Sequence, residues 1–302
     1  MSRSLLADPP GRQGPGRTPP AAVAALDLAI ARRAAGRLPG DHVAAGVGLG
    51  TELAQLRPYV EGDDIRQLDP AASARTNEPH VRLQVPERAL TTWVLLDVSP
   101  SMAFGTHTRL KSDVAAGAAT VVSRIATRRG GRIGLMRWGA EEEALVPPRG
   151  GRRALGAIDR VIREGVAADG TAPPHDFAHA IRRLSLLARQ PGLTVVISDF
   201  RDDSAWPRAL AALSHRHRVV AVEISDPREH SLPDAGSVVV RDPETGRDVE
   251  VNTSSQRLRD AYAAAEAQRR TEILDGVRRA RGRHVPLSTS RDWLRDLGRG
   301  LR

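Results

Sequence analysis

Five oxygen-bearing side chains occupy positions where the sequence predicts that strands end or helices begin. The apolar run WVLL leads directly into Asp97, and Ser99 and Ser101 follow in the pattern D-x-S-x-S. The apolar run TVVIS leads directly into Asp199, and between the two runs the triplet DGT places the hydroxyl of Thr171 just before a predicted helix. A hard divalent cation such as Mg²⁺ takes about six oxygen ligands, often few carboxylates with hydroxyls and waters. The five residues therefore predict a site for Mg²⁺ or Mn²⁺.

We expect this site to bind a partner protein. Ser99 and Ser101 lie two residues apart in a turn and can both ligate an ion directly, and Thr171 can supply a third hydroxyl. Asp97 and Asp199 neutralise charge, directly or through water. Because neutral hydroxyls leave the ion electron-poor, an incoming carboxylate is a favourable additional ligand. The site is therefore expected to capture an acidic side chain of a partner and not to catalyse a reaction.

The elements that position these residues are predicted from hydrophobic periodicity. From residue 91 onward, apolar strands alternate with helical patterns, which is typical of a mostly parallel sheet with helices on both faces. Strands are predicted at 91–98, 132–138, 143–146, 194–200, 218–224 and 284–289, and helices at 108–128, 151–164, 175–188, 206–214, 258–277 and 291–299. In such a sheet ligands bind outside the carboxyl ends of the strands, where Asp97 and Asp199 fall.

The remainder of the chain is predicted to form additions to this core. Residues 1–20 are rich in proline and glycine and are expected to be a disordered arm. Residues 21–90 are predicted as an N-terminal helix followed by a β-rich segment, and residues 91–230 as the α/β domain. Residues 231–302 are predicted to hold a hairpin around the turn PETG, the long helix, and a closing strand and helix.

Composition excludes several classes of protein. The chain contains no cysteine, which excludes a disulfide framework, a thiol nucleophile and cysteine-ligated zinc. No run of about 18 apolar residues occurs, and the opening sequence MSRSLLADPP lacks the apolar stretch of a secretory signal. We therefore expect a cytoplasmic protein without a membrane span.

The charge leaves a nucleic-acid-binding protein as one alternative. Lys and Arg total 45 against 36 Asp and Glu, which gives a net charge of +9. The arginines are interleaved with acids along the chain, and aromatic residues amount to only 3%. A basic nucleic-acid surface and a stacking platform for single strands are both disfavoured for these reasons.

A hydrolase is the second alternative from another class. With Ser99 or Ser101 as the nucleophile, such an enzyme would require a G-x-S-x-G turn and a positioned histidine, and neither is evident. A metal-dependent hydrolase would require a general base beside the ion, and none is apparent.

Purely structural roles are also open for the same residues. Asp97 or Ser101 could cap the helix that follows, and Thr171 could cap the next one. Asp199 could instead form an ion pair with Arg201. The occurrence of the residues in order at matching element ends favours the metal site.

The motifs at the strand ends resemble a known family. DVSPS after a buried strand, DGT before a helix and VVISDF resemble, in that order, the metal-ion-dependent adhesion site of von Willebrand factor A-type domains. The upstream stretch GLGTELAQLRPYVEGDDIRQLDPAASAR, residues 48–75, is similar to the signature of family 58 of the domains of unknown function. Members of that family commonly carry Trp where this chain has Pro70, and many carry transmembrane helices.

The resemblance implies a fold, a site and a partner. The implied fold is an α/β, von Willebrand A-like, doubly wound sheet with a β-rich N-terminal extension. The implied metal ligands are Asp97, Ser99, Ser101, Thr171 and Asp199. Because family members are commonly associated with MoxR-type AAA+ ATPases, the implied function is that of a non-catalytic adaptor or co-chaperone. It would bind such an ATPase, or the client of that ATPase, through an acidic side chain.

Overall fold

The computed structural model describes residues 55–83, 90–107, 109–128 and 130–301. The arm and the N-terminal helix predicted within the first 40 residues lie outside the described residues. Contacts divide the chain into two units, whose described parts are residues 55–83 and residues 90–301. Among the described residues, no helix is both long enough and apolar enough to span a membrane.

The smaller unit is a pair of strands with a short helix between them. Strand β1 (Gln55–Pro58) pairs antiparallel with β2 (His80–Leu83). Helix α1 (Pro70–Thr76) begins after Asp69, whose carboxylate accepts two backbone N–H groups of the first turn at 2.9 and 3.0 Å. Pro70 occupies the first position of the helix, where its missing N–H has no helical partner to lose. Pro70, which stands where family members usually carry tryptophan, thus begins the helix.

The unit of residues 90–301 alternates strands with helices, as predicted. Its strands are β3 (Thr91–Asp97), β4 (Arg132–Trp138), β5 (Ala144–Arg149), β6 (Gly192–Ser198), β7 (His217–Ser225), β8 (Ser237–Arg241), β9 (Asp248–Asn252) and β10 (Arg283–Ser288). Its helices are α2 (Lys111–Thr127), α3 (Gly151–Arg163), α4 (Phe177–Leu187), α5 (Trp206–Ser214), α6 (Gln256–Arg279) and α7 (Trp293–Leu301). The predicted boundaries differ from these by a few residues, as helix and strand ends commonly do.

Six of these strands form one sheet in the order β10-β7-β6-β3-β4-β5. Neighbouring strands are parallel except at the edge, where β5 runs antiparallel to β4. All seven residues of the central strand β3 are buried, because helices cover a parallel sheet on both faces. The doubly wound, von Willebrand A-like fold predicted from the sequence is confirmed. The segment 231–302 contributes β10 to this sheet.

The order of the strands reverses between β3 and β6. From β3 the chain builds outward through β4 and β5, and from β6 it builds in the other direction through β7 to β10. Leu96 pairs with Ile197 across this boundary, so Asp97 lies level with Ser198. In open α/β sheets the crevice at such a reversal, outside the carboxyl ends of the strands, is where ligands bind.

A buried aspartate joins the end of β7 to two other segments. Asp226 has no exposed surface, and its carboxylate accepts hydrogen bonds from Thr106 Oγ1 at 2.6 Å and from Thr289 Oγ1 at 2.5 Å. It also accepts the backbone N–H groups of Thr106 and Arg228, each at 2.9 Å. Burial raises the pKa of this carboxyl, but the hydrogen bonds outweigh that effect and hold the pKa below its ordinary value of 3.8.

We expect Asp226→Asn to lower the free energy of unfolding by about 2 kcal/mol at neutral pH, because an amide cannot accept all of these hydrogen bonds. Since the pKa of Asp226 is lowered in the folded state, its contribution is fully present above pH 3.8 and is lost as the pH falls toward the folded-state value. Urea unfolding at a series of pH values should therefore show that the difference in free energy of unfolding between the wild type and Asp226→Asn becomes smaller in acid. A difference that does not change with pH would contradict this role.

Candidate metal centre

Asp97 ends β3 as a buried carboxylate held by neutral donors. It is 3% exposed, and it accepts the backbone N–H of Ser99 at 2.9 Å and the hydroxyl of Ser198 at 2.6 Å. Burial, and after it the negative charge of Asp199, raises the pKa of Asp97 to about 7. In the part of the chain that the structure describes, no cationic side chain forms an ion pair with Asp97. Buried carboxylates are ordinarily paired, bound to a metal or neutralised by protonation, and in its ionised form Asp97 can hold a metal ion.

Three further oxygen donors adjoin Asp97. A 3₁₀ turn at Pro100–Ala103 follows β3, and the Oγ atoms of Ser99 and Ser101 lie 3.1 Å apart. Ser101 Oγ donates to Asp199 Oδ2 at 2.9 Å. Adjacent ligands of an octahedral ion with bonds of about 2.0–2.1 Å are about 2.9 Å apart. These separations are hydrogen-bond distances, which are also compatible with neighbouring ligands of Mg²⁺. Four of the five predicted residues are brought together.

Two unusual backbone conformations shape the loops of the site. Gly139, directly after β4, has a φ of +106°, and a Cβ at this position would lie 2.3 Å from Ser99 N. Only glycine permits this close approach. Phe200, the second residue after β6, has a φ of +54°, which is uncommon for a bulky side chain. Its N–H donates to Ser198 Oγ at 2.9 Å, and its ring packs 5.0 Å from that of Trp206, so packing sustains the strain.

The single lysine of the chain is buried beside the site. Lys111 begins α2 and has no exposed surface, and its Nζ lies 2.7 Å from Asp199 Oδ2 and 2.6 Å from Glu229 Oε1. Burial lowers the pKa of Lys111, but the two carboxylates outweigh burial and raise it overall. For Asp199, burial raises the pKa of the carboxyl group, but the ammonium of Lys111 outweighs burial. The pKa of Asp199 is therefore below its ordinary value.

The ion pair of Asp199 with Arg201, considered as an alternative from the sequence, is replaced by the pair with Lys111. The backbone N–H of Arg201 donates to Asp199 Oδ1 at 3.1 Å. The guanidinium of Arg201 instead forms ion pairs with Glu266 at 2.8 Å and Glu229 at 3.2 Å. Arg201 thus connects the loop after β6 to α6, and Lys111 connects that loop to Glu229 in the turn after β7.

Acidic side chains outnumber basic ones around the site. In the described chain, five carboxyl groups meet three cationic side chains. These groups are Asp97, Asp199, Glu229, Glu244 and Glu266 with Lys111, Arg201 and Arg269. No three His, Cys, Asp or Glu side chains among the described residues form a metal-binding group. An ion here would therefore depend on hydroxyls and water beside its carboxylates, which is a common arrangement for Mg²⁺.

Thr171 lies in the loop between α3 and α4. The backbone N–H of Ala167 in this loop donates to Val98 O at 2.8 Å, which holds the beginning of the loop beside the end of β3. Within the described residues, the hydroxyl of Thr171 has no hydrogen-bond partner, and no contact joins it to the other four predicted ligands. Helix α4 is capped by Asp176, whose carboxylate accepts a backbone N–H of the first turn at 2.6 Å. Thr171 is therefore not the cap, and its role as a ligand stays a prediction.

Glu244 is a site residue that sequence analysis missed. It lies in the turn between β8 and β9, and its Oε1 accepts the backbone N–H of Ser101 at 3.3 Å. Partial loss of solvent and the charge of Asp199 raise the pKa of Glu244. The motif PETG was recognisable as a turn, but no feature of the sequence places that turn at the end of β3.

The family model described as "Protein of unknown function DUF58" matches residues 55–272 of this chain. The chain belongs to the DUF58 family. The similarity to this family inferred from residues 48–75 is thereby confirmed. The metal site inferred from the motifs DVSPS, DGT and VVISDF stays a prediction. Among curated relatives, uncharacterized protein Rv1480 of Mycobacterium tuberculosis is 37% identical over 281 residues, covering 92% of this chain and 87% of the relative. Uncharacterized protein MAV169 of Mycobacterium avium is 39% identical over 158 residues, covering 51% of this chain and 90% of the relative.

Solved structures that resemble this DUF58 chain include von Willebrand A domains. BatB from Bacteroides thetaiotaomicron aligns with a TM-score of 0.46 and 15% identity, covering 70% of this chain and 97% of BatB. The von Willebrand A domain of SpRpn10 aligns with a TM-score of 0.39 and 13% identity, covering 69% of this chain and 93% of that domain.

Proposed function

We propose that this DUF58 protein is a metal-dependent protein-binding module that captures an acidic side chain of its partner. Asp97 carries the proposal, because it is a buried carboxyl group at the reversal point of the sheet and has no cationic partner among the described residues. Asp97, Ser99, Ser101 and Asp199 would hold Mg²⁺ or Mn²⁺, with Thr171 as the predicted fifth ligand. When bound, the ion supplies a coordination position for a carboxylate.

The charges of the chain's own residues tune this site for an anion. Asp97 and Asp199 contribute two negative charges, and the ammonium of Lys111, 2.7 Å from Asp199, offsets one of them. The hydroxyls of Ser99 and Ser101 add none. A divalent ion in this group retains one positive charge, which favours a further negatively charged ligand.

The partner that the family resemblance implies is a MoxR-type AAA+ ATPase or a client of that ATPase. In this proposal the chain acts as a non-catalytic adaptor or co-chaperone. The nucleic-acid alternative, which the net charge of +9 suggests, differs from the adaptor in its dependence on salt and metal.

We expect the purified protein to bind a MoxR-type ATPase encoded in the same genome in Mg²⁺ and to release it in EDTA. Biolayer interferometry with the immobilised chain measures both the binding in Mg²⁺ and the release in EDTA. Binding to DNA or RNA through several phosphates weakens by about 10³–10⁵ between about 50 and 200 mM salt, whereas capture by a metal site depends far less on salt. Tight retention of nucleic acid at about 200 mM salt in the presence of EDTA would favour the alternative instead.

A further inference from the structure

A carboxylate of the chain itself already lies at the proposed metal centre. The turn between β8 and β9 brings Glu244 Oε1 to 3.3 Å from the backbone N of Ser101. The hydroxyl of the same serine lies 2.9 Å from Asp199 Oδ2 and 3.1 Å from Ser99 Oγ. Ser99, Ser101 and Asp199 are buried, whereas Glu244 is exposed. Glu244 therefore lies between the buried oxygen donors and solvent.

The turn is preorganised to present this side chain. The carboxylate of Asp242 accepts the backbone N–H of Glu244 at 3.0 Å and the hydroxyl of Thr245 at 2.6 Å. The N–H of Asp242 donates to Arg247 O at 2.8 Å, which closes the turn. Gly246 has a φ of +68°, in the left-handed region that favours glycine. These constraints hold the backbone of Glu244 in one position relative to the two strands.

The turn also contacts the loop that carries Thr171. The backbone N–H of Gly170 donates to Pro243 O at 2.8 Å. A Cβ at Gly246 would lie 3.4 Å from Gly170 Cα, so the two backbones are in direct contact. The loop with the predicted fifth ligand and the turn with Glu244 are therefore coupled, and a shift of one is transmitted to the other.

The rest of the hairpin is outside the core. Strands β8 and β9 form a two-stranded sheet of their own, and Val239, Val240 and Val249 are 61%, 42% and 53% exposed. Two-stranded hairpins are marginally stable on their own, so the contacts of the turn contribute to the position of the hairpin. The hairpin can move away from the site without opening the core of the six-stranded sheet.

We propose that Glu244 is the intramolecular ligand of this metal centre and occupies the position that a partner's carboxylate takes. The proposal rests on the function proposed above. A divalent ion held by Asp97, Asp199 and the two serine hydroxyls attracts the carboxylate of Glu244, which already lies beside Ser101. Binding of the ion therefore holds the hairpin more firmly in the position that it has in this structure. A partner must displace a tethered carboxylate whose effective concentration is of about millimolar order.

Glu244→Gln tests this competition, with Glu250→Gln as the matched control. Glu250 lies on β9 of the same hairpin, is exposed, and accepts the hydroxyl of Ser237 at 3.2 Å. The probe is a labelled, end-capped peptide DPETG, the sequence of residues 242–246. In Mg²⁺, fluorescence anisotropy should show that Glu244→Gln binds the peptide about tenfold or more tightly than the wild type and Glu250→Gln do. EDTA should abolish this binding.

Hydrogen exchange of residues 237–252 supplies the second readout. Mg²⁺ should slow exchange in this hairpin in the wild type and in Glu250→Gln, and should leave it unchanged in Glu244→Gln. If calorimetry detects no binding of Mg²⁺ or Mn²⁺ to the wild type, the proposed function itself is wrong. If the wild type binds the ion but Glu244→Gln matches it in peptide affinity and in hydrogen exchange, the metal centre stands and the proposal for Glu244 is overturned.

Discussion

Asp97→Asn should abolish the binding of Mg²⁺ and Mn²⁺ while leaving the fold intact. The substitution removes one of the two carboxylates, and the ammonium of Lys111, 2.7 Å from Asp199, already offsets the other. The oxygen group that remains has no net charge with which to attract a cation. We expect the affinity for the ion, measured by calorimetry, to fall at least about 100-fold, more than loss of an outer-shell partner of a metal ligand typically costs.

The thermal stability of Asp97→Asn distinguishes the loss of a metal ligand from damage to the fold. The amide oxygen of Asn can accept the N–H of Ser99, and its NH₂ group can donate to Ser198 Oγ, so both hydrogen bonds of Asp97 have replacements. The substitution also removes a buried carboxyl group whose pKa is raised to about 7 and that has no cationic partner among the described residues. The melting temperature in EDTA should therefore be unchanged or raised. Mg²⁺ should raise the melting temperature of the wild type, as any ligand of the native state does, but not that of the variant.

Asp202→Asn is the matched control for this experiment. Asp202 lies in the loop after β6, and its carboxylate accepts the N–H of Ser204 at 2.9 Å. It makes no contact with the four oxygen donors of the site among the described residues. The control should bind Mg²⁺ as the wild type does. Equal affinity in Asp97→Asn and in the wild type would contradict the metal centre.

The sheet and most of the site were predictable because they depend on apolar strands. A fully buried parallel strand is a continuous apolar run, so β3 and β6 stand out in the sequence together with the polar residues that end them. The rule that ligands bind outside the carboxyl ends of such strands then brings Asp97, Ser99, Ser101 and Asp199 to one edge. Thr171 lies in a loop, where periodicity sets no position, and its distance from the others could not be inferred.

Lys111 and Glu244 were missed because long-range contacts define their roles. Helical periodicity places Lys111 in α2, but its partners Asp199 and Glu229 lie 88 and 118 positions away. Glu244 accepts a hydrogen bond from Ser101, which lies 143 positions away in the sequence. The one signal available was that Lys111 is the only lysine in a chain whose other basic residues are arginines.

The strain at Phe200 was not predictable for a different reason. Left-handed backbone is ordinarily occupied by Gly, Asn or Asp, and sequence rules therefore assign it to those residues. Here the ring of Phe200 packs against Trp206 and lies 5.8 Å from Phe177, edge to face. Tertiary packing overrides the local preference of the chain.

Lys111→Met should lower the free energy of unfolding by about 3–5 kcal/mol in EDTA, because it breaks a fully buried ion pair by removing one partner. Methionine fills a similar volume but leaves Asp199 and Glu229 buried without the ammonium between them. Glu229 keeps the guanidinium of Arg201 at 3.2 Å, so the larger part of the penalty falls on Asp199. Urea unfolding followed by circular dichroism measures the change.

Arg182→Met is the control for loss of an ion pair at the surface. Arg182 and Asp176 lie 3.6 Å apart, and their side chains are 54% and 53% exposed. Exposed pairs of this kind contribute about 0–1 kcal/mol, so the control should stay close to the wild type. A loss in Lys111→Met no larger than that of the control would contradict the buried ion pair.

Mg²⁺ should restore part of the stability that Lys111→Met loses. Without the ammonium, Asp97 and Asp199 together carry two unopposed negative charges, and a divalent ion bound to them replaces the missing cation. The affinity for Mg²⁺ should therefore be higher in Lys111→Met than in the wild type, and the increase in melting temperature on adding Mg²⁺ should be larger. The double variant Lys111→Met/Asp97→Asn should lose this rescue, since one of the two carboxylates is gone. If Mg²⁺ stabilises Lys111→Met no more than it stabilises the wild type, the ammonium does not compete with the ion for Asp199, and the charge balance proposed for the site is wrong.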